Sequence, residues 1–424
     1  MPDQQPASTV VLAGGHVFDG TDFLPEPADV VFAGDTVLEV GSGLAAAHPH
    51  ADVVDVTGKT VLPGLVDLHV HVCSSNPGSL QAFAEPWSLQ FYESVRNLEA
   101  TLHAGVTTVR DAGGADLGAK VAVDTGLVRG PRMRLAVTIM SQTGGHADFL
   151  MPSGVHSPSM GPHPGRPAGV ADGVEEVRKV VRQILRAGAD QIKICSTGGV
   201  LSPADDPRHS QFTEEEIRVI VEEAAAQGTY VMAHAQGSEG IKNALRAGVR
   251  SIEHGVYIDE EAIELFLAND AYLVPTLAAP LAVIKKAGAG GSGLTPTVIE
   301  KAHLVADTHR ESIARAIDAG VKVAMGTDSG VGVHGENLEE LALLSGVGLD
   351  LTGVLRASTS IAGELIQHAE VGRLAPEHLA DAVVLDGRLD DSAQLQTLPT
   401  MVEQVWKDGT LEFRRTDSGA GRAR

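Results

Sequence analysis

Leu185-Arg186-Ala187-Gly188-Ala189-Asp190-Gln191-Ile192-Lys193-Ile194-Cys195 carries a complete structural phrase: a helix end, a glycine turn and a buried strand. Upstream of it, Val174, Val177, Val180, Val181, Ile184 and Leu185 recur at helical spacing. Glycine at the helix end takes the left-handed conformation without a Cβ clash, and the apolar run after it is strand-forming. The phrase returns in Leu102-His103-Ala104-Gly105-Val106-Thr107-Thr108-Val109, in Leu245-Arg246-Ala247-Gly248-Val249-Arg250-Ser251-Ile252 and in Ile317-Asp318-Ala319-Gly320-Val321-Lys322-Val323-Ala324. A further helix is marked by Ile217, Ile220, Val221 and Ala224, with Thr213 and Glu216 spaced as a capping box.

Working outward, buried-type strands are expected at 61–72, 106–112, 132–141, 189–196, 229–235, 251–255, 271–277 and 321–328. Eight strands alternating with helices predict an α/β fold, a parallel (β/α)8 TIM barrel in preference to an open doubly wound sheet. Periodicity does not distinguish a closed ring from an open one. Residues 8–62 and the stretch after 380 instead read as short strands broken by Gly34-Asp35, Gly58-Lys59, Asp386-Gly387 and Asp408-Gly409. Neither end is large enough for its own core. The expected organisation is therefore a small β-sandwich domain from 1–62 and 380–424, with the barrel, 63–379, inserted between them. Segment 150–170, rich in proline and glycine, reads as a long loop. Segment 286–296, with Gly288, Gly290, Gly291 and Gly293, reads as a flexible excursion or lid.

Composition bounds the chemistry. The 424 residues carry 32 Lys+Arg and 55 Asp+Glu, a formal charge of −23, which disfavours nucleic acid and anionic membranes as partners. No apolar run approaches the roughly 18 residues of a membrane span, and Met1 to Gly20 lacks a basic start followed by an apolar core. Two cysteines build no disulfide framework. A soluble cytoplasmic protein is expected. Histidine, at 17, is the unusual count.

In parallel barrels reactive groups stand where strands end. His69 and His71 close the first strand, and a spacing of two puts both rings on one side, where they can share a metal. Lys193 lies inside an apolar strand, where an ammonium is costly unless paired, deprotonated or modified. His234 and His254 end the fifth and sixth strands, and Asp328 ends the eighth. Six such groups at strand ends form a converging, metal-binding ring.

With these residues in place the chain resembles the amidohydrolase superfamily. The specific wording is Val61-Leu62-Pro63-Gly64-Leu65-Val66-Asp67-Leu68-His69, Gly105-Val106-Thr107-Thr108-Val109-Arg110-Asp111 and Gly326-Thr327-Asp328. Thr143-Gly144-Gly145-His146, Thr197-Gly198-Gly199-Val200-Leu201-Ser202-Pro203, Ser251-Ile252-Glu253-His254-Gly255 and His334-Gly335-Glu336-Asn337 resemble the imidazolonepropionase-related branch. That branch includes Xaa-Pro and Xaa-Arg dipeptidases, ochratoxinase-like amide hydrolases and phenylurea hydrolases.

The resemblance implies two divalent metal ions, expected to be zinc, bridged by a carboxylated Lys193 and a hydroxide. One ion would take His69, His71 and Asp328, and the other His234 and His254. Asp328 would pass the proton of the hydroxide to the leaving nitrogen, and His146 would hold the carbonyl or developing oxyanion. Tyr257, Gln236 and His334 are the remaining candidates for substrate contact. Arg110-Asp111 is expected as a structural ion pair beneath the site, and Cys73 and Cys195 as buried thiols without a nucleophilic role.

The implied reaction is hydrolysis of an amide-type C–N bond in a dipeptide or N-acyl amino acid, a small-molecule substrate, by a homo-oligomer. Aryl amides, carbamates or phenylureas are the alternative substrates. A dipeptidase would need a cationic or multi-donor site for the carboxylate, for which Arg208 is a candidate. A mononuclear deaminase or imidazolone hydrolase fits less well, because Lys193 is present. A non-catalytic barrel protein also fits less well, because all six ligand positions are filled.

Overall fold

The computed structural model describes residues 9–75, 84–150, 153–156, 161–202, 205–289 and 293–416. The first strands are β1 (Thr9–Val17), β2 (Ala28–Ala33), β3 (Thr36–Gly41), β4 (Asp52–Asp55) and β5 (Thr60–Pro63). The middle of the chain supplies β6 (Leu65–Val70), β7 (Val106–Asp111), β8 (Arg132–Leu135), β9 (Ile139–Met140), β10 (Ile192–Cys195), β11 (Val231–Ala235), β12 (Ser251–His254), β13 (Tyr272–Val274) and β14 (Lys322–Val323). The last strands are β15 (Ala382–Leu385), β16 (Val402–Lys407) and β17 (Thr410–Arg414).

The two ends do pair. Ala382 to Leu385 of β15 run antiparallel to Pro63 to Thr60 of β5, which itself lies parallel to β1. The strands form one sheet in the order β17-β16-β15-β5-β1-β2-β3, with β4 beside β1. Leu12, Val30, Phe32, Val61, Val384 and Trp406 pack over it as a separate apolar core. Residues far apart in sequence thus bury a face that neither end covers alone.

Middle strands pair in parallel, β6-β7-β8 in one sheet and β9 to β14 in sequence order in a second. Leu68 donates its backbone N–H to Met325 O at 3.0 Å, and Asp328 donates to His69 O at 2.7 Å. These bonds tie the first parallel strand to the segment after the last. The glycine turns behave as their sequence dictates: Gly105, Gly188, Gly248 and Gly320 have φ of 99°, 97°, 88° and 88°. The helix Val174–Arg186 buries Val177, Val180, Val181 and Ile184, and Thr213 with Glu216 closes the capping box of the helix Glu214–Ala226.

Three expectations are corrected. The strand expected at 61–72 is two, β5 and β6, serving different sheets. They divide at Gly64, where a Cβ would stand 2.1 Å from Thr107 Oγ1 and 2.8 Å from Asp381 Cβ. The strand expected at 132–141 divides into β8 and β9 around Val137, which has φ 64°. The segment expected as flexible from 286 is helical through Gly288 (Ala278–Gly288), and the helix Pro296–Asp318 follows; 290–292 lie outside the described residues. Of the expected loop 150–170, positions 151–152 and 157–160 lie outside them too.

Gly64→Ala is expected to destabilise the chain by about 1–3 kcal/mol through overpacking. A urea-unfolding midpoint equal to wild type would contradict that.

Candidate active site

Strand alternation sends Asp67 and His69 of β6 to one face, and His71 follows just past the strand end. Each imidazole is held through Nδ1: His69 by Glu253 Oε2 at 2.8 Å, His71 by the Gly113 carbonyl at 2.8 Å. The Nε2 atoms are left facing Asp328 Oδ1, at 3.8 Å from His69 and 3.3 Å from His71.

Asp328 sits in the left-handed region at φ 58°. Its neighbour Thr327 bonds Asp67 through both its backbone N–H, at 3.1 Å, and its hydroxyl, at 2.6 Å; Asn337 Nδ2 donates to the same Asp67 carboxylate at 2.8 Å. Burial still pushes the Asp67 carboxyl up to about 6. The Asp328 carboxyl moves the other way. Burial opposes its ionisation, but His71, His69 and Lys193 hold it well below the ordinary carboxylate range.

Lys193 of β10 is buried, with Nζ 3.4 Å from His69 Nε2. Burial lowers its pKa, against the raising effect of Glu253. His254, ending β12, has φ 73°; Thr276 Oγ1 meets its Nδ1 at 2.6 Å, and buried His309 Nε2 donates to its carbonyl at 2.8 Å. His69, His254 and Asp328 each offer a ligand atom, all within 4.8 Å of one another. His234 of β11 stands beside this group, its ring centroid 4.6 Å from His254 and its Nε2 3.0 Å from the Gly198 carbonyl. Burial, foremost, holds His69, His234 and His254 well below the usual imidazole range. Neutral imidazole is the form that ligates a metal.

The other candidates occupy distinct places. His146 stacks on His234, with ring centroids 4.2 Å apart, and its Nδ1 meets Ser202 Oγ at 2.7 Å. Gln236 is buried, and its Oε1 has no hydrogen-bond partner. Tyr257 is half-buried and donates its backbone N–H to Gln236 O at 2.8 Å. His334 grips the carbonyls of His71 and Ser74, each at 3.2 Å, so its Nε2 braces the turn after β6; its Nδ1 is buried without a partner. Arg208 is exposed and forks onto Asp206 at 2.9 and 2.6 Å. Burial pushes both cysteine thiols up to about 12, out of range for a nucleophile at neutral pH.

The expected Arg110–Asp111 ion pair does not form. Consecutive strand residues point to opposite faces. Arg110 instead donates to Glu253 Oε1 at 2.8 Å and Leu68 O at 2.7 Å, while Asp111 accepts the backbone N–H groups of Val72 and Gly113. Glu253 is the residue that sequence reasoning passed over. Its signal was present: a carboxylate inside the buried run Ser251-Ile252-Glu253-His254 must have a partner.

The sequence profile of the amidohydrolase family matches residues 60–411. The chain belongs to that family. Ochratoxinase of Aspergillus niger is 34% identical over 420 residues, covering 96% of this chain and 87% of ochratoxinase. The solved structure of a prolidase with N-methylphosphonate-L-proline is similar at a TM-score of 0.88 and 39% identity, over 96% of this chain and 100% of the prolidase. A Xaa-Pro dipeptidase with methionine in its active site is similar at 0.84 and 31%, over 96% and 100%. The fold of this amidohydrolase is accordingly TIM-barrel-type, with parallel strands.

Amidohydrolases generally use divalent metals. The residues here fit such a group. Asp328 Oδ1 is buried, accepts no hydrogen bond and faces imidazole nitrogens.

Arg110→Met would strand the Glu253 carboxylate and is expected to cost about 3–5 kcal/mol. Glu253→Gln, which keeps the volume, is expected to weaken metal affinity about 10–100-fold by releasing His69. Metal titration followed by melting temperature checks both, and unchanged affinity in Glu253→Gln would remove Glu253 from the site.

Proposed function

We propose that this amidohydrolase cleaves the amide bond of a dipeptide or N-acyl amino acid. The observation that carries this reading is the buried Asp328 carboxylate, ringed by His69, His71, His254 and Lys193. Similarity over nearly the full chain to a prolidase and to a Xaa-Pro dipeptidase supports the substrate class.

We assign His69, His71 and Asp328 to one divalent ion and His234 and His254 to a second, with Lys193, as its carboxylated form, between them. Carboxylation would remove the buried ammonium that stands 3.4 Å from a ligand nitrogen. Ions held there, taken as zinc, would lower the pKa of a water and polarise the scissile carbonyl. The protein does the rest. Asp328 takes the proton of the attacking water at its carboxylate and delivers it to the leaving nitrogen as the C–N bond breaks. His146 presents Nε2 to the substrate carbonyl, and Gln236, through its unpartnered Oε1, and Tyr257 line the substrate's side of the site. His334 is proposed as a further contact through Nδ1. Aryl amides, carbamates and phenylureas are the second substrate class, supported by the ochratoxinase relative.

The same reading closes the parallel strands into a (β/α)8 barrel, supported by the Leu68–Met325 and Asp328–His69 backbone bonds. It divides the chain at 62 and 379, treats the end sheet as a β-sandwich domain, and places a homo-oligomer in the cytoplasm. Among the described residues no helix is long and apolar enough to cross a membrane.

Metal analysis is expected to return about two divalent ions per chain; one or none would reject the paired-ion assignment. Asp328→Asn is expected to lower kcat by about 100-fold or more on the dipeptide found by library screening, because a carboxamide does not take up and pass on a proton. Full turnover in that variant would reject the shuttle. Hydrolysis of phenylureas or N-aryl carbamates, with every dipeptide untouched, would select the second class.

A further inference from the structure

His146 is clamped from three directions. One ring face lies on His234. Gly199 lies close against the ring: a Cβ there would stand 2.2 Å from His146 Cε1, so only glycine leaves the imidazole its place. Nδ1 meets Ser202 Oγ at 2.7 Å and Asp205 Oδ2 at 3.4 Å.

The hydrogen count along this chain starts from the carboxylate. The Asp205 side chain is only 7% exposed, and although burial pushes its carboxyl up, His146, Ser202 and Lys301 pull it well below the ordinary carboxylate range. It is therefore an acceptor at both oxygens. Ser202 bonds Asp205 Oδ1, and the hydroxyl has a single proton to give. That proton goes to the carboxylate, so Ser202 Oγ has only lone pairs to offer His146. Both atoms facing Nδ1 are acceptors.

Lys301 completes the arrangement from the helix Pro296–Asp318. Its side chain is only 12% exposed, and Nζ donates to the carbonyls of Gly199, at 3.1 Å, Ser202, at 2.8 Å, and Asp205, and reaches Asp205 Oδ1 at 3.3 Å. One ammonium thus joins Gly199, Ser202 and Asp205 and faces the Asp205 carboxylate.

We propose that Asp205 and Lys301 are positioning residues for His146: through Ser202 they keep a proton on Nδ1 and make Nε2 the nitrogen presented to the substrate. This rests on the role given to His146 under the proposed function. The coupling also ties the helix Pro296–Asp318 to the site twice, through Lys301 here and through His309 at the His254 carbonyl.

The test is nitrogen-15 NMR of histidine-labelled, zinc-loaded full chain, with the His146 signals assigned by their loss in His146→Asn. Nδ1 is expected to carry a proton, and a pyridine-type Nδ1 in wild type would overturn the proposal without any variant being needed. Asp205→Asn can offer N–H to Nδ1 and is expected to remove that proton. It should lower kcat by about 100-fold with KM changed about threefold or less and zinc content unchanged. Lys301→Met is expected to lose about 10-fold in kcat, with Lys301→Arg recovering most of it. Wild-type kcat in Asp205→Asn with Nδ1 still protonated would overturn the proposal. If wild type turned over no dipeptide, the substrate reading would fail while the Nδ1 signal still decided the assignment.

Discussion

A carboxylate sealed among parallel strands has to be neutralised, and Glu253 is neutralised by Arg110 on one side and bonded to His69 on the other. Both side chains of the Arg110–Glu253 pair are fully buried. Removing either partner leaves an unpaired charge in low dielectric, which is why such pairs tolerate no half measures. Arg110 also holds Leu68 O, and Ser251 donates to Glu253 at 2.6 Å, so β6, β7 and β12 are locked by one network. The end of that network is His69 Nε2, aimed at Asp328. Orientation of the first candidate ligand is therefore set by a carboxylate from the other parallel sheet.

The same economy appears in the backbone. His254, Thr276 and Asp328 all occupy left-handed φ, at 73°, 54° and 58°. Non-glycine residues there cost about 1–3 kcal/mol each and persist only where surrounding bonds over-determine them. Here they are over-determined. Thr276 bonds the His254 ring, His309 holds the His254 carbonyl, and Asp67 with Thr327 and Asn337 supports the turn at Asp328. His254 ends β12, and Thr276 and Asp328 follow β13 and β14.

Much of this was legible beforehand. The glycine-ended helix phrase predicted the alternation of helices and parallel strands, because left-handed turns and apolar periodicity are local properties. His69, His71, Lys193, His234, His254 and Asp328 stood out because chemistry-bearing residues at strand ends have little structural reason to be there. Pairing of the two chain ends followed from each being too small for its own core. What escaped was contact between elements. Asp111 looked like the partner of Arg110 because the two adjoin in sequence, yet strand geometry sends them to opposite faces. Lys301 and Asp205 lie 96 positions apart and in unlike segments, so nothing in either stretch announced the other.

Sequence by itself therefore determined the unit of the fold and singled out the candidate side chains of the site, since both depend on residue type and short-range spacing. Tertiary structure alone decided which polar group answers which: Glu253 for Arg110 and His69, Asp205 for Lys301 and His146. It also decided that the run from Val61 to Val72 breaks at Gly64 to serve two sheets. Burial is what makes each of these pairings compulsory, and burial is a property of the packed chain rather than of any segment of it.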